Sequence, residues 1–305
     1  DMVNTENVTA QGEGVYVAIL DTGMLPLAPF FFSQADIAWD LGKGFSHDIW
    51  WDEDAQDFMV GPLDEERGFW TEMGSGHGTH VTSTVVGYNL QGTDWVQGIA
   101  PKVTIIPVLV LDAWEIAIPD AEPVRFTGGF DDMISAGIRY VADLEQRPMV
   151  INMSLGGSSR SPEIEAAVDY AISQGVIVVA SAGNEGEDGM GYPGGLPQII
   201  SVAAGGWSSM YDQPFRWLSD VPEKLNSNDI LGNNTQTYLE DFSSRPVKEL
   251  GQKHQDLDVA GPGALVVGPY KSAFAENTNY YYLSGTSMSS PHVAAISALV
   301  LEDNP

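Results

Sequence analysis

Five short runs of nearly unbroken aliphatic residues punctuate the chain, at positions 15–20, 103–110, 149–154, 176–180 and 199–203. Each has the length of a strand and is rich in Val and Ile, without alternating polar positions. Strands read this way when a parallel sheet is covered on both faces. Pro107, inside the second run, is a reservation, because proline brings no amide hydrogen to a ladder. Between the runs the period lengthens. From Phe130 onward, Ile134, Ile138, Val141 and Leu144 mark one face of a helix. Pro162 opens another helix, with Ile164, Ala167, Val168, Ala171 and Ile172 predicted to face inward and Gly175 placed to end it. Strands alternating with helices predict an α/β class with right-handed crossovers.

Two stretches break this rhythm. Residues 40–70 carry Trp39 at their edge and Trp50, Trp51 and Trp70 within, among many acids, and residues 207–240 are polar and rich in Asn. Both read as long loops, which in compact folds are functional or mobile. No internal repeat or low-complexity tract is present.

Composition narrows the function. The 305 residues hold 13 Lys and Arg against 42 Asp and Glu, a net charge of −29. Such a surface repels phosphate backbones, so nucleic acid is not an expected partner. Ordinary solubility at neutral or alkaline pH and life in high salt both fit this charge. The longest apolar runs fall far short of the ~20 residues of a membrane span. There is no cysteine, which excludes disulfides and thiol nucleophiles. The chain opens on Asp1 with no basic-then-apolar leader after it, as expected if a signal or pro-segment has been removed or was never included.

Four local patterns bear chemistry. Asp21 closes the first run in Asp-Thr-Gly, where it serves as a turn former or sits among the ligands that gather at the carboxyl ends of parallel strands. Gly76-His77-Gly-Thr-His80 opens an apolar helical stretch. A two-His metal site there lacks the intervening Glu and a third ligand, and His80 reads as a core histidine. Asn184, in Ser-Ala-Gly-Asn-Glu-Gly, is a left-handed turn residue or a fixed amide donor to an anion. The run Gly189-Met-Gly-Tyr-Pro-Gly194 matches a dinucleotide fingerprint, but a strand rather than a helix follows it, which rules that reading out. Finally Ser284-Gly-Thr-Ser287-Met-Ser-Ser-Pro291 precedes an apolar helix. A Ser at such a start is a cap, or a hydroxyl at the positive end of the helix dipole. Together the four supply a base, its orienter, a hydroxyl nucleophile and an oxyanion donor.

These segments resemble the catalytic segments of subtilisin-like serine proteases, the subtilase family, in that family's order of Asp, His and Ser. The resemblance extends from Gly14 to about Leu301. It implies a single catalytic domain over residues 1–305 with a three-layer, mostly parallel sheet and helices on both faces. It implies Asp21 as orienter, His77 as general base, Ser287 as nucleophile and Asn184 as oxyanion donor. Ser154, Leu155, Gly156 and Gly157 resemble one wall of the S1 pocket, Ala182, Gly183 and Glu185 the other, and Gly191 its base. The implied function is a serine endopeptidase on protein or peptide substrates, forming an acyl-enzyme on Ser287. Large apolar P1 residues are expected, with Glu185 able to admit Lys or Arg. A catalytically idle peptide-binding module of the same fold is the alternative. No catalytic cofactor is implied. Structural Ca²⁺ is expected with its ligands unassigned, since the run 52–57 lacks calcium-loop spacing and 88–96 differs from the family's calcium loop. An inhibitory pro-segment and export from the cytoplasm are also implied. Insertions relative to simpler members are expected at about 40–70, 112–128 and 207–240, and the chain stops at Pro305 where relatives continue into further helix.

Overall fold

The computed structural model describes residues 3, 5–207 and 237–304. The strands are, in chain order, β1 (Tyr16–Asp21), β2 (Lys43–Asp52), β3 (Asp57–Arg67), β4 (Gly87–Leu90), β5 (Asp94–Gln97), β6 (Thr104–Leu109), β7 (Asp112–Ile116), β8 (Val124–Gly128), β9 (Met149–Met153), β10 (Ile177–Ser181), β11 (Ile200–Trp207), β12 (Thr237–Leu239), β13 (Val259–Pro262), β14 (Val266–Tyr270) and β15 (Asn279–Leu283). The helices are α1 (Ala28–Phe31), α2 (His77–Val86), α3 (Asp131–Asp143), α4 (Pro162–Ser173) and α5 (Thr286–Asp303). A nine-stranded sheet runs in the order β12-β11-β10-β9-β1-β6-β2-β3, with β13 also on β11. Its centre, β11-β10-β9-β1-β6, is parallel.

The sheet is apolar on both sides because successive side chains point to opposite faces. Val17 and Ile19 join Val150, Val179 and Val202 beneath α2 and α5, through Val81, Val85, Ala294 and Ala295. Ala18 and Leu20 join Ile151, Met153 and Val178 beneath α3 and α4, through Ile138, Val141, Ala167 and Val168. This is the three-layer α/β architecture expected, and each fully buried Ile or Val in it contributes roughly 1.5–3 kcal/mol.

Pro107 fits because of its side. Ile105 gives its carbonyl to Ala38 and its amide to Asp36. Two residues on, Pro107 faces the same way, opposite the 3-10 turn Trp39–Leu41, where no strand asks for an amide. In α4, Ile172 does not face inward as predicted but is 36% exposed. It lies about 100° round the helix from Ala171, off the stripe of Ile164, Ala167, Val168 and Ala171 that meets the sheet. Gly175, with φ of +78°, follows that helix as expected.

The long loop expected at 40–70 is instead largely an antiparallel hairpin, β2–β3, added to the sheet edge through β6. Phe45, Ser46 and His47 are buried at its root, while Trp50, Phe58, Met59 and Val60 are exposed at its far end. Residues 112–128 form the hairpin β7–β8 and 88–96 lie within the hairpin β4–β5. Of the expected insertion at 207–240, positions 208–236 lie outside the described residues.

Candidate active site

The carboxyl ends of β1, β9 and β10 and the amino ends of α2 and α5 meet at one edge of the sheet. Asp21 is the last residue of β1 and is fully buried. His77 is the first residue of α2, and its Nδ1 lies 2.8 and 2.9 Å from the two Asp21 carboxylate oxygens. Thr22 fastens the two elements. Its Oγ1 donates to the Ser75 carbonyl at 2.9 Å and accepts from the Gly78 amide at 3.0 Å. Gly78 is required here, since a Cβ would overlap the Gly23 carbonyl and crowd Asp21. Gly23 itself has φ of +72° and sits against the Phe69 carbonyl, so only glycine makes this turn without strain.

The His77 side chain is 23% exposed. Burial pulls its pKa down, but the charge of Asp21 and the hydrogen bond to it outweigh burial and leave it raised above 6.5. Its Nε2 makes no hydrogen bond among the described residues. His80, by contrast, is a core histidine. Nε2 donates to the Val266 carbonyl at 3.1 Å, and burial, then the neighbouring His77 charge, push its pKa down to about 4.

Ser287 is the second residue of α5, whose N-cap is Gly285, so the serines here are not the cap. Its Oγ donates to the Ser154 carbonyl at 3.2 Å and makes no hydrogen bond with His77. The open amide of the helix start is taken from another element: Asn184 Oδ1 accepts from Thr286 N at 2.9 Å and from Thr286 Oγ1 at 3.0 Å. With its oxygen engaged twice, Asn184 keeps its NH₂ as the end free to donate.

Two cavities flank these groups and share Leu155, Gly156 and Gly157. The larger, of about 500 Å³, is lined by His77, Ser154, Leu111, Thr127, Gly128, Asp131 and Ile134 among others. The smaller, of about 300 Å³, holds Ser287, Asn184, Gly183, Glu185 and Gly191. Of the predicted pocket residues only Ala182 lines neither, being buried behind the wall. The base segment ties to both walls: the Gly157 and Tyr192 amides each lie 2.8 Å from the other's carbonyl, and the Gly191 amide donates to the Ala182 carbonyl at 2.8 Å.

Sequence reasoning missed several residues. Thr22 and Thr286 position Asp21, His77 and Asn184; their one signal is their place inside the Asp-Thr-Gly and Gly-Thr-Ser motifs. Asp188, Met190 and Leu250 line the smaller cavity. Ser244 Oγ donates to Glu185 Oε2 at 2.9 Å. Gln252 grips both the amide and the carbonyl of Met190, at 2.9 and 2.7 Å. No local pattern marks these last contacts, because they join segments some 60 positions apart.

A model of the subtilase family matches residues 12–305. The chain belongs to the subtilase family. It is 29% identical to a subtilisin of Bacillus sp. (strain TA39) over 97% of this chain and 59% of that protein. It is 34% identical to subtilisin DY of Bacillus licheniformis over 76% of this chain and 65% of that protein. The chain thus spans 59% and 65% of the length of these two relatives. Among solved structures, the S41 psychrophilic protease superposes with a TM-score of 0.62 at 27% identity, covering 100% of this chain and 82% of that one. Sphericase gives 0.61 at 26%, covering 100% and 83%. Among the described residues of this subtilase, no group of three or more His, Asp or Glu side chains is placed to hold a metal ion. The run 52–57 makes the β2–β3 turn, with Asp52 Oδ1 accepting the amides of Asp54 and Ala55. No helix of the described residues is long and apolar enough to cross a membrane.

Proposed function

We propose that this subtilase is a serine endopeptidase whose described elements work as one catalytic domain. The observation that carries the reading is the couple of buried Asp21 with His77, whose cavity adjoins, through Leu155, Gly156 and Gly157, the one lined by Ser287 and Asn184. A hydroxyl is a poor nucleophile until a base removes its proton, and a neutral imidazole is the base suited to neutral pH. Ser287 Oγ turns from the Ser154 carbonyl to Nε2, the hydroxyl proton passes to Nε2, and Oγ bonds to the substrate carbonyl carbon. The negative charge that forms on the carbonyl oxygen meets Asn184 Nδ2 and the Ser287 amide at the α5 N-terminus. Asp21 holds Nδ1 protonated and stabilises the imidazolium. When the C–N bond breaks, the proton on Nε2 goes to the leaving amine. Water then repeats the sequence on the acyl-Ser287.

The smaller cavity is the S1 site. Leu155, Met190 and Leu250 suit a large apolar P1 side chain, and Glu185 at the rim admits Lys or Arg. The larger cavity, with the β7–β8 hairpin on its wall, takes the residues before P1. An inhibitory pro-segment and export accompany this reading. Structural calcium stays an expectation without assigned ligands, since the described residues hold no group of three or more His, Asp or Glu placed for a metal ion, and no step runs through it.

One observation favours a second reading. Ser287 Oγ is bonded to the Ser154 carbonyl and not to His77, as in an idle module that only binds peptide. Unbound enzymes often hold catalytic hydrogen bonds loosely, so turnover must decide. Incubation with a denatured protein, followed by sequencing of new N-termini, is expected to show cuts after large apolar residues, abolished by Ser287→Ala. Peptide binding with no new N-termini would establish the idle module instead.

A further inference from the structure

Pro291 sits inside α5. In an uninterrupted helix the amide of residue 291 would donate to the Ser287 carbonyl four positions back, and proline has no such hydrogen. That carbonyl is not left open. Ser154 Oγ, from the end of β9, donates to it at 2.7 Å. The Ser154 hydroxyl is aimed in turn, since Asn152 Nδ2 donates to Ser154 Oγ at 3.1 Å. The Asn152 amide is itself fixed, because Ser290 Oγ donates to Asn152 Oδ1 at 2.7 Å. All three side chains are buried, Asn152 and Ser290 completely and Ser154 to within 2%. The chain of donors closes on itself: it leaves α5 at Ser290, crosses β9, and returns to α5 at Ser287. Ser154 thus grips the nucleophile residue twice, its hydroxyl on the Ser287 carbonyl and its own carbonyl on the Ser287 hydroxyl.

We propose that Ser154 is a positioning residue for Ser287, aimed by Asn152 and Ser290, and that it replaces the helix bond Pro291 removes. The proposal rests on Ser287 being the nucleophile. Its physical content is that the carbonyl of the residue bearing the attacking oxygen and the oxyanion amide is anchored to the end of β9 rather than to its own helix. Misplacing an attacking group by a fraction of an ångström slows the chemical step while leaving substrate binding in place.

The test measures kcat and KM on a chromogenic peptide anilide, and the rate of fluorophosphonate labelling, for four chains: wild type, Ser154→Ala, Pro291→Ala and the double variant. Ser154→Ala is expected to lose about tenfold in kcat and in labelling rate, with KM within about twofold. Pro291→Ala is expected to stay within about threefold of wild type. The double variant is expected to regain most of the loss, because the backbone amide restored by Pro291→Ala can donate to the Ser287 carbonyl. A purely structural role for Ser154 gives no such rescue. Wild-type kcat in Ser154→Ala, or a double variant no faster than Ser154→Ala, overturns the proposal. Should Ser154→Ala fail to fold, Ser290→Ala tests the same chain from its far end. It is expected to lose about threefold in kcat, and wild-type kcat there also overturns the proposal. A wild-type chain with neither turnover nor labelling overturns the protease reading, and the positioning role with it.

Discussion

Replacing Asp21 by Asn changes one atom and removes one buried charge. With both carboxylate oxygens within 2.9 Å of His77 Nδ1, the charge centres are about 4 Å apart. At an effective dielectric constant of about 20 the imidazolium then loses about 4 kcal/mol of stabilisation, close to a thousandfold in rate. A further loss comes from the tautomer. An Asn NH₂ turned toward Nδ1 holds the proton on Nε2, where it blocks uptake of the Ser287 proton, so the total reaches about 10³–10⁴. The assay is kcat/KM on a peptide anilide across pH 5–9, with a thermal melt to show that the variant is folded. The variant's activity midpoint also moves below 6.5, because burial then acts on His77 without the opposing charge. A folded Asp21→Asn chain within tenfold of wild type, or one with an unmoved midpoint, would refute the assigned role of Asp21.

Three further outcomes follow from the same geometry. In the wild type, kcat/KM rises with pH as His77 becomes neutral, with a midpoint above 6.5 because Asp21 raises its pKa; a profile flat from pH 5 to 9 contradicts this. Asn184→Ala is expected to lose about 100- to 1,000-fold in kcat with little change in KM, as for other side-chain oxyanion donors, and a loss confined to KM points to a binding role only. Burial holds His80 and His292 at about 4, below the unfolded value of 6.5. The unfolded chain therefore binds more protons between pH 6.5 and 4, and stability falls as pH drops through that window, by about 3 kcal/mol per histidine at its lower end. Denaturant melts of wild type and His292→Gln at pH 4.5 and 7 check this, since the variant should lose part of the pH dependence.

Where a residue's duty lies within its own segment, the chain read clearly. The five central parallel strands, β1, β6, β9, β10 and β11, announced themselves through nearly unbroken aliphatic runs, because a sheet covered on both faces has no polar side to reveal. Asp21, Asn184 and Ser287 each had an ordinary structural reading, as turn former, left-handed turn residue or cap, and with His77 they stood out only as a set whose segments and order resemble those of the subtilase family. The β2–β3 hairpin was hidden for the opposite reason. Its root is buried and its tip exposed, so no single period describes it, and its acids imitate a loop. Ile172 shows the limit of a helical stripe read without knowing where the sheet ends. Thr22, Thr286, Ser154 and Gln252 act through hydrogen bonds to segments far away in the chain, and nothing in their neighbours' hydrophobicity records such a partner.

Treatment of the native chain with a fluorophosphonate, followed by mass spectrometry of its peptides, tests the central claim most directly. The account predicts a single phosphonyl adduct on Ser287, forming faster as pH rises through the His77 midpoint and absent from His77→Ala and Ser287→Ala chains. A folded native chain that stays unlabelled, or that is labelled elsewhere at the same rate in all three, would contradict it.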